Sequence, residues 1–435
     1  MAPRVSPRSV SSVVLFALST SAGASGFQLM EQTASGIGNA YAGSAAVAEN
    51  ASTIYFNPAG MTQLQAREVS LGLAAVKPSY TFHDRGSNAG SLAGTGDGGD
   101  AGGWAAIPNG YASWGLTKDL YVGIGIGAPF GLKTEYDDRW LGAAQSTKFE
   151  IKTININPSL AYRVNERVSL GFGVNWQKLE AEYVRLVGTT AGTSHVKSTM
   201  NIEDGAWGWN AGVLFTLSPI TKVGLSYRSR IKYRTEGDVK LASDGSTAGN
   251  ATLPALLAAG GQSDLSAKLT VPDTFIMSVT QKVNERWDML GDVSWTGWSS
   301  IPKVDIMRTS GLQNGATAQR LDTDFRDTWR VALGATYHLN DAWNLKYGIA
   351  YDQAPVKHAA TRLTSLPDND RVWFTFGAQW LPSKASRLDL GVAYLYVRDS
   401  KIDNNQNGGT IPRGRVTGEY EGNIWVLGGQ YSLAF

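Results

Sequence analysis

At 435 residues the chain is long enough for two or three soluble domains or for one large barrel. It contains no cysteine, which excludes a disulfide framework and a Cys-based zinc site, and only 17% of its residues are charged against roughly 25% in ordinary soluble domains. Gly (50) and Trp (14) are abundant, yet mean hydropathy is −0.18 and no run of ~18 apolar residues follows the N-terminus, so helical membrane spans are excluded.

The chain begins as an export signal. Arg4 and Arg8 form a basic start, Val13 to Leu18 an apolar stretch, and Ala22-Gly23-Ala24 a small-residue cleavage site, giving a leader over 1–24 and Ser25 as mature N-terminus. The apolar stretch is too short to serve as a membrane anchor. Its removal takes away two of 39 basic residues and none of 37 acidic ones, and a neutral chain gives no support to nucleic-acid binding. Residues 25–66 show no alternation and are rich in Gly, Ala, Ser and Asn. They are too long to be only a lead-in to a first strand. The alternatives are a plug inside a barrel and a disordered tail, and the plug is the better reading, because a wide lumen leaks unless something fills it.

From Arg67 the pattern has period two. Trp207, Trp209, Ala211, Val213, Phe215 and Leu217 share one face, opposite Gly208, Asn210, Gly212 and Thr216; Trp329 to Leu339 and Leu388 to Tyr396 repeat the pattern. A soluble sandwich alternates too, but these segments run past its usual strand length and carry aromatics at their ends. Short turns fall at 116–120, 163–167, 217–221, 282–287, 339–343 and 381–386, two of them containing Val-Asn-Glu-Arg. Longer polar connections fall at 83–103, 131–147, 187–200, 240–265, 300–320, 357–370 and 399–418. Short turns alternating with long loops predict an all-β fold: an antiparallel transmembrane β-barrel of about fourteen strands over 67–435, both termini periplasmic, in a bacterial outer membrane. The last strand alternates to a terminal aromatic, Phe435.

Three blocks carry a resemblance: Ser25-Gly26-Phe27-Gln28-Leu29, Ser35-Gly36-Ile37-Gly38-Asn39-Ala40-Tyr41-Ala42-Gly43 and Asn57-Pro58-Ala59-Gly60. Together with Trp207 to Gly212, Tyr227-Arg228-Ser229, Leu366 to Arg371 and the final strand, they resemble the FadL family of outer-membrane channels for long-chain fatty acids and other hydrophobic compounds. The resemblance runs the whole mature chain. It implies capture of a hydrophobic ligand by external loops, passage to a pocket against the hatch, and sideways exit through the barrel wall. It also implies outer-membrane lipid and lipopolysaccharide as surroundings, assembly through Phe435 by the barrel assembly machinery, a monomer, and no cofactor.

The residues give the route physical counterparts. Gly123 to Gly127 leads into Ala128-Pro129-Phe130-Gly131; proline cannot donate to a ladder, so Pro129, Phe130 and Gly131 predict a kink with unpaired backbone where the family has its lateral opening. Asn57, Pro58 and Ala59 match the family's hatch motif, although alone they would read as a plain turn. Phe27 is apolar where a free tail is polar, which suits insertion into a pocket. Arg185 falls where the resemblance implies a basic residue for a ligand carboxylate, and Arg320 matches a second such position after a one-residue slip. Taken alone, each arginine would be a solvated charge, and Glu180 and Glu182 are placed to neutralise Arg185. Leu253, Leu256 and Leu257 are apolar in a polar loop, either an outer capture groove or a loop helix packed on its neighbours. The loop at 187–200 is short beside its fatty-acid-specific counterparts, which keeps monoaromatic hydrocarbons open as the ligand.

Catalysis has little to rest on: His83, His195, His338 and His358 are scattered, with no triad or metal spacing. Asp403-x-Asn405-x-Asn407-Gly408 is half a calcium loop, with Gly414 where the bidentate acid belongs. A general diffusion porin remains as the reading from another class, and it would lack the hatch.

Overall fold

A computed structural model describes residues 26–90, 94–187, 196–408 and 412–435. The leader, Ser25, His195 and the centre of the 187–200 loop lie outside the described residues. The wall is one closed antiparallel sheet. Its strands are β1 (Arg67–Asp84), β2 (Ala105–Gly115), β3 (Leu120–Gly127 and Gly131–Glu135), β4 (Lys148–Arg163), β5 (Val168–Val187), β6 (Val196–Ser218) and β7 (Thr221–Arg228 and Ile231–Ser243). They continue as β8 (Ser263–Val271 and Thr274–Lys282), β9 (Trp287–Thr296 and Val304–Arg308), β10 (Thr317–Leu321 and Thr328–Asn340), β11 (Trp343–Asp352), β12 (Arg371–Trp380), β13 (Ser386–Asn405) and β14 (Arg415–Ala434). β14 pairs with β13 and closes on β1, so the barrel has fourteen strands with no free edge. All six short turns fall where the sequence places them. The long loops are shorter than the sequence suggests, because β3, β9, β10, β13 and β14 run on into them, and Thr247–Ala258 forms a helix, α1, inside the 240–265 connection.

Alternation decides which way each side chain points. Leu71, Leu73, Ile124, Ile126, Phe172, Met277, Val331 and Leu333 are exposed on the outer surface, where they meet lipid. Aromatics mark both edges of this band. Tyr227, Phe275, Trp295 and Trp329 lie opposite one another in a single row across β7 to β10, and Trp287–Tyr337 and Trp343–Trp380 pairs mark the other edge. Above the upper row β7 to β10 all break, and the alternation flips. Tyr227 faces lipid, but after Ser229-Arg230 the outward residues are Lys232, Arg234 and Glu236. The breaks in β7 and β8 are two residues long and those in β9 and β10 six or seven; beyond the last, Thr317–Leu321 pairs with β9 but not with β11.

Residues 26–66 lie within the lumen as irregular turns that include three short helical pieces, Ile37–Asn39, Thr53–Phe56 and Pro58–Gln63. Ile37, Ile54, Ala59 and Met61 are fully buried against inward wall residues. Backbone comes close to backbone: a side chain at Gly171 would collide with the Ala59 nitrogen, and one at Gly212 with the Asn57 side chain. Only glycine leaves room for that approach. A buried cation adds an electrostatic tie. Lys346 of β11 donates to Asp389 at 3.0 Å, to Glu49 at 2.8 Å and to the Ser35 carbonyl at 3.1 Å. A buried charge of this kind is tolerated only with its partners in place.

Candidate functional site

Asn57 is the N-cap of Pro58–Gln63: its side chain accepts from the Ala59 nitrogen at 3.1 Å. Its amide donates to the carbonyl of Ala45 at 2.7 Å and to that of Val213 on β6 at 3.0 Å. Proline at the first helical position forfeits no hydrogen bond there. The three residues therefore shape a turn and fasten it to the wall at once. Arg228 of β7 assists, stacking over Tyr55 at 4.2 Å and donating to the Tyr55 carbonyl at 3.0 Å.

β3 breaks at Ala128-Pro129-Phe130. Below the break, Tyr121–Ile126 pairs with Gly110–Gly115 of β2; above it, Gly131–Glu135 pairs with β4 alone. Ala105–Asn109 of β2 therefore has no ladder partner on β3 until the Glu135 nitrogen donates to the Ala101 carbonyl at 3.0 Å. The sequence predicts unpaired backbone at the kink itself, and this is corrected. The Leu29 nitrogen donates to the Pro129 carbonyl at 2.8 Å, and the Gly131 nitrogen to the Phe27 carbonyl at 2.8 Å. The N-terminal segment replaces β2 as the partner, because a buried peptide group left single is costly. Gln32 reaches the Ala128 carbonyl at 2.7 Å from below.

This pairing puts Phe27 among aromatics, 4.8 Å from the Trp298 ring centroid and 5.8 Å from that of Phe130. Beside it lies an apolar cavity of about 70 Å³, walled by Phe149, Ile202, Leu269, Ile306, Phe325 and Leu366 among others. That is room for about two water molecules at liquid density. Phe27 thus already occupies a place in the apolar interior. Its tether is a hydrogen bond from the Gly26 nitrogen to Asp368 at 2.7 Å. Asp368 lies in the loop before β12 and pairs with Arg371, the two fully buried together.

Outside this cavity is a vestibule of about 870 Å³, and Leu363 lines both. Arg185 of β5, Arg308 of β9 and Arg413 of the last loop converge on it, close enough to act on one another electrostatically. None has a carboxylate partner among the described residues. Arg308 donates to the Gly260 and Gly261 carbonyls and to Ser263. Arg413 donates to Gln319 at 2.6 Å. The Arg185 Nε is buried with no hydrogen-bond partner. Burial pulls the Arg413 guanidinium below its ordinary range, partly offset by the Tyr183 hydroxyl. Three clustered cations with no ion-paired acid, Asp322 lying elsewhere on the vestibule wall beside Arg320, favour a negatively charged guest.

The neighbouring carboxylates do not quench Arg185. Glu180 and Glu182 point the other way and pair with Lys178 and Lys148 on the outer surface. Arg320, the second expected carboxylate contact, is at the vestibule rim, but its guanidinium is half exposed and bound to Asp305. Of the three loop leucines, Leu256 lines the vestibule and Leu257 is exposed; the structure makes them part of the loop helix α1. Arg308 and Arg413 are the residues that sequence reasoning misses. They stand far apart in the chain, and only the loop geometry joins them to Arg185.

A plugged fourteen-strand barrel with lipid-facing aromatic belts is an outer-membrane β-barrel protein, and a lumen blocked by its own N-terminal segment separates it from open porins. The family model described as "Outer membrane protein transport protein (OMPP1/FadL/TodX)" matches residues 15–435. The chain belongs to that family of transporters for long-chain fatty acids or hydrophobic compounds, not of enzymes, and its place is the bacterial outer membrane. It is 29% identical to the long-chain fatty acid transport protein of Escherichia coli, over 98% of each chain. It is 31% identical to outer membrane protein P1 of Haemophilus influenzae, over 86% of each. Among solved structures it resembles a Pseudomonas aeruginosa FadL homologue with a TM-score of 0.85 and 22% identity, covering 94% of this chain and 99% of that one. The Pseudomonas putida toluene transporter TodX gives a TM-score of 0.68 at 16% identity, covering 95% and 100%.

Proposed function

We propose that the protein takes up long-chain fatty acids: the carboxylate is caught in the vestibule by Arg185, Arg308 and Arg413, and the chain then enters the apolar cavity past Leu363. The observation that carries this reading is the cluster of three arginines, none ion-paired to an acid among the described residues, at the mouth of an apolar cavity. A cationic cluster of this kind serves a carboxylate and does nothing for toluene. Each methylene moved from water into the dry interior contributes ~0.8 kcal/mol, so a long chain supplies its own driving force. The cavity as it stands is too small for such a chain, and Phe27 fills the adjoining space. In this reading Phe27 withdraws as the ligand arrives, which frees the Pro129 and Gly131 backbone and leaves the stretch between β2 and β3 as a lateral exit. Residues 26–66 act as the hatch and 67–435 as the transporting barrel, and the protein works as a monomer.

Oleate and toluene titrations on detergent-purified protein test this, each repeated with Arg185→Ala and Arg413→Ala. Charge-assisted hydrogen bonds to a carboxylate predict a loss of roughly tenfold or more in oleate affinity per arginine removed, with toluene indifferent. Tight toluene binding with oleate unmoved by either substitution overturns the carboxylate reading and favours the hydrocarbon one, which the wholly apolar cavity would also suit.

A further inference from the structure

The outer surface carries a charged patch for which the transport route has no use. On the external part of β7, Lys232 and Arg234 are exposed; Lys232 lies opposite Thr270 of β8, and Arg234 opposite Lys268, which is also exposed. Like charges directly opposite one another across a ladder repel. The patch extends to β9 and β10. Ala267 pairs with Ile306, so Lys268 comes next to Asp305, and Asp305 pairs with Arg320. That one acid is already engaged, by Arg320 and by Lys303 at 3.0 Å. Asp204 accepts the Arg234 backbone nitrogen, and Glu236, two residues beyond Arg234 on the same face, makes no ion pair with the three cations. Lys232, Arg234 and Lys268 make no ion pair among the described residues, and unlike the separately placed Arg398 and Lys401 they share one face of adjacent strands.

Position supplies the second argument. The row Tyr227, Phe275, Trp295, Trp329 marks the upper edge of the lipid-facing band, and Lys232 follows Tyr227 by five residues. At about 3.3 Å per residue on a tilted strand, that is about 12 Å above the belt. Long cationic side chains bend down from such a height to the head groups. The flip of alternation at Ser229-Arg230 turns Lys232 and Arg234 outward, and the break between Val271 and Thr274 does the same for Lys268.

We propose that Lys232, Arg234 and Lys268 form a binding face for the phosphate of an outer-leaflet lipid, seated on the wall between β7 and β8 just above the aromatic belt. The phosphate oxygens take the place of the missing carboxylates and relieve the Arg234–Lys268 repulsion. This face is independent of the fatty-acid reading, since it lies on the opposite side of the wall from the vestibule.

The test titrates full-length protein in detergent with fluorescent bisphosphorylated lipid A and with its dephosphorylated form. The comparison is with Lys232→Ser/Arg234→Ser/Lys268→Ser and with the milder Lys268→Gln, each checked for folding by heat-modifiable mobility and oleate binding. At roughly fivefold per surface cation, the triple substitution should weaken binding of the phosphorylated lipid about a hundredfold and Lys268→Gln roughly fivefold. Both proteins should bind the dephosphorylated lipid weakly and alike. Equal binding of the two lipids by the unaltered chain, or unchanged affinity in a folded Lys268→Gln variant, overturns the proposal. Inorganic phosphate competing as well as the lipid does would equally overturn it, by showing a free-anion site.

Discussion

Single residues in this barrel hold position by burying polar groups that have somewhere specific to bond. Lys346 is the sharpest case: its ammonium is buried with Asp389 and Glu49, and it joins wall to lumen segment. Lys346→Ala should leave two carboxylates unanswered and lower stability by about 3 kcal/mol, read as a fall in the temperature of heat-modified mobility. An unchanged transition would mean that water already carries those charges. Asn57 behaves likewise, since its amide bridges the carbonyls of Ala45 in the lumen segment and Val213 on the wall. At this scale the sequence is legible where a residue's own chemistry is unusual. Pro129 announces a broken ladder and Asn57-Pro58 a capped turn. The clustering of Arg308 and Arg413 with Arg185 depends on distant loops, and no local pattern marks it. Arg320, which the family resemblance brings forward, is instead tied to Asp305.

Among the elements, the strands were readable because period-two alternation survives in a wall that faces lipid on one side and a packed lumen on the other. The breaks in β7 to β10 were not, because a short interruption leaves composition unchanged and only shifts which face the following residues take. The lumen segment follows a different rule, set by close approach. Gly171 lies where the Ala59 backbone must pass, so Gly171→Leu should push the Asn57–Ala59 turn off the wall. Single-channel recordings should then show raised ion conductance over a nearly silent parent. A variant as silent as the parent would mean that the turn does not depend on this contact. Helix α1 lends Leu256 to the vestibule, and Leu253→Ser/Leu256→Ser/Leu257→Ser should slow oleate uptake at low concentration. An equal uptake rate would restrict α1 to packing.

Taken whole, the molecule separates two tasks that a water-filled pore would merge. In the proposed function the closed ladder and the buried lumen segment exclude ions, while the apolar cavity adjoining the cationic vestibule serves as the path for amphiphiles. Phe27 links the two, since the segment that completes the broken β3 also fills the apolar interior. Phe27→Ala should therefore tighten oleate binding by enlarging the cavity, and a weaker complex would show that the ring serves the ligand instead of yielding to it. In the proposed route the ligand leaves through the wall where β2 and β3 part. The direct measurement is oleate uptake into cells carrying Pro129→Val/Gly131→Val, with binding measured on the purified variant. Restored strand formers should let β3 pair with β2 throughout, so binding should persist while uptake falls to the level of cells lacking the protein. Uptake at the parent rate, with the barrel folded and oleate bound, would place the exit elsewhere.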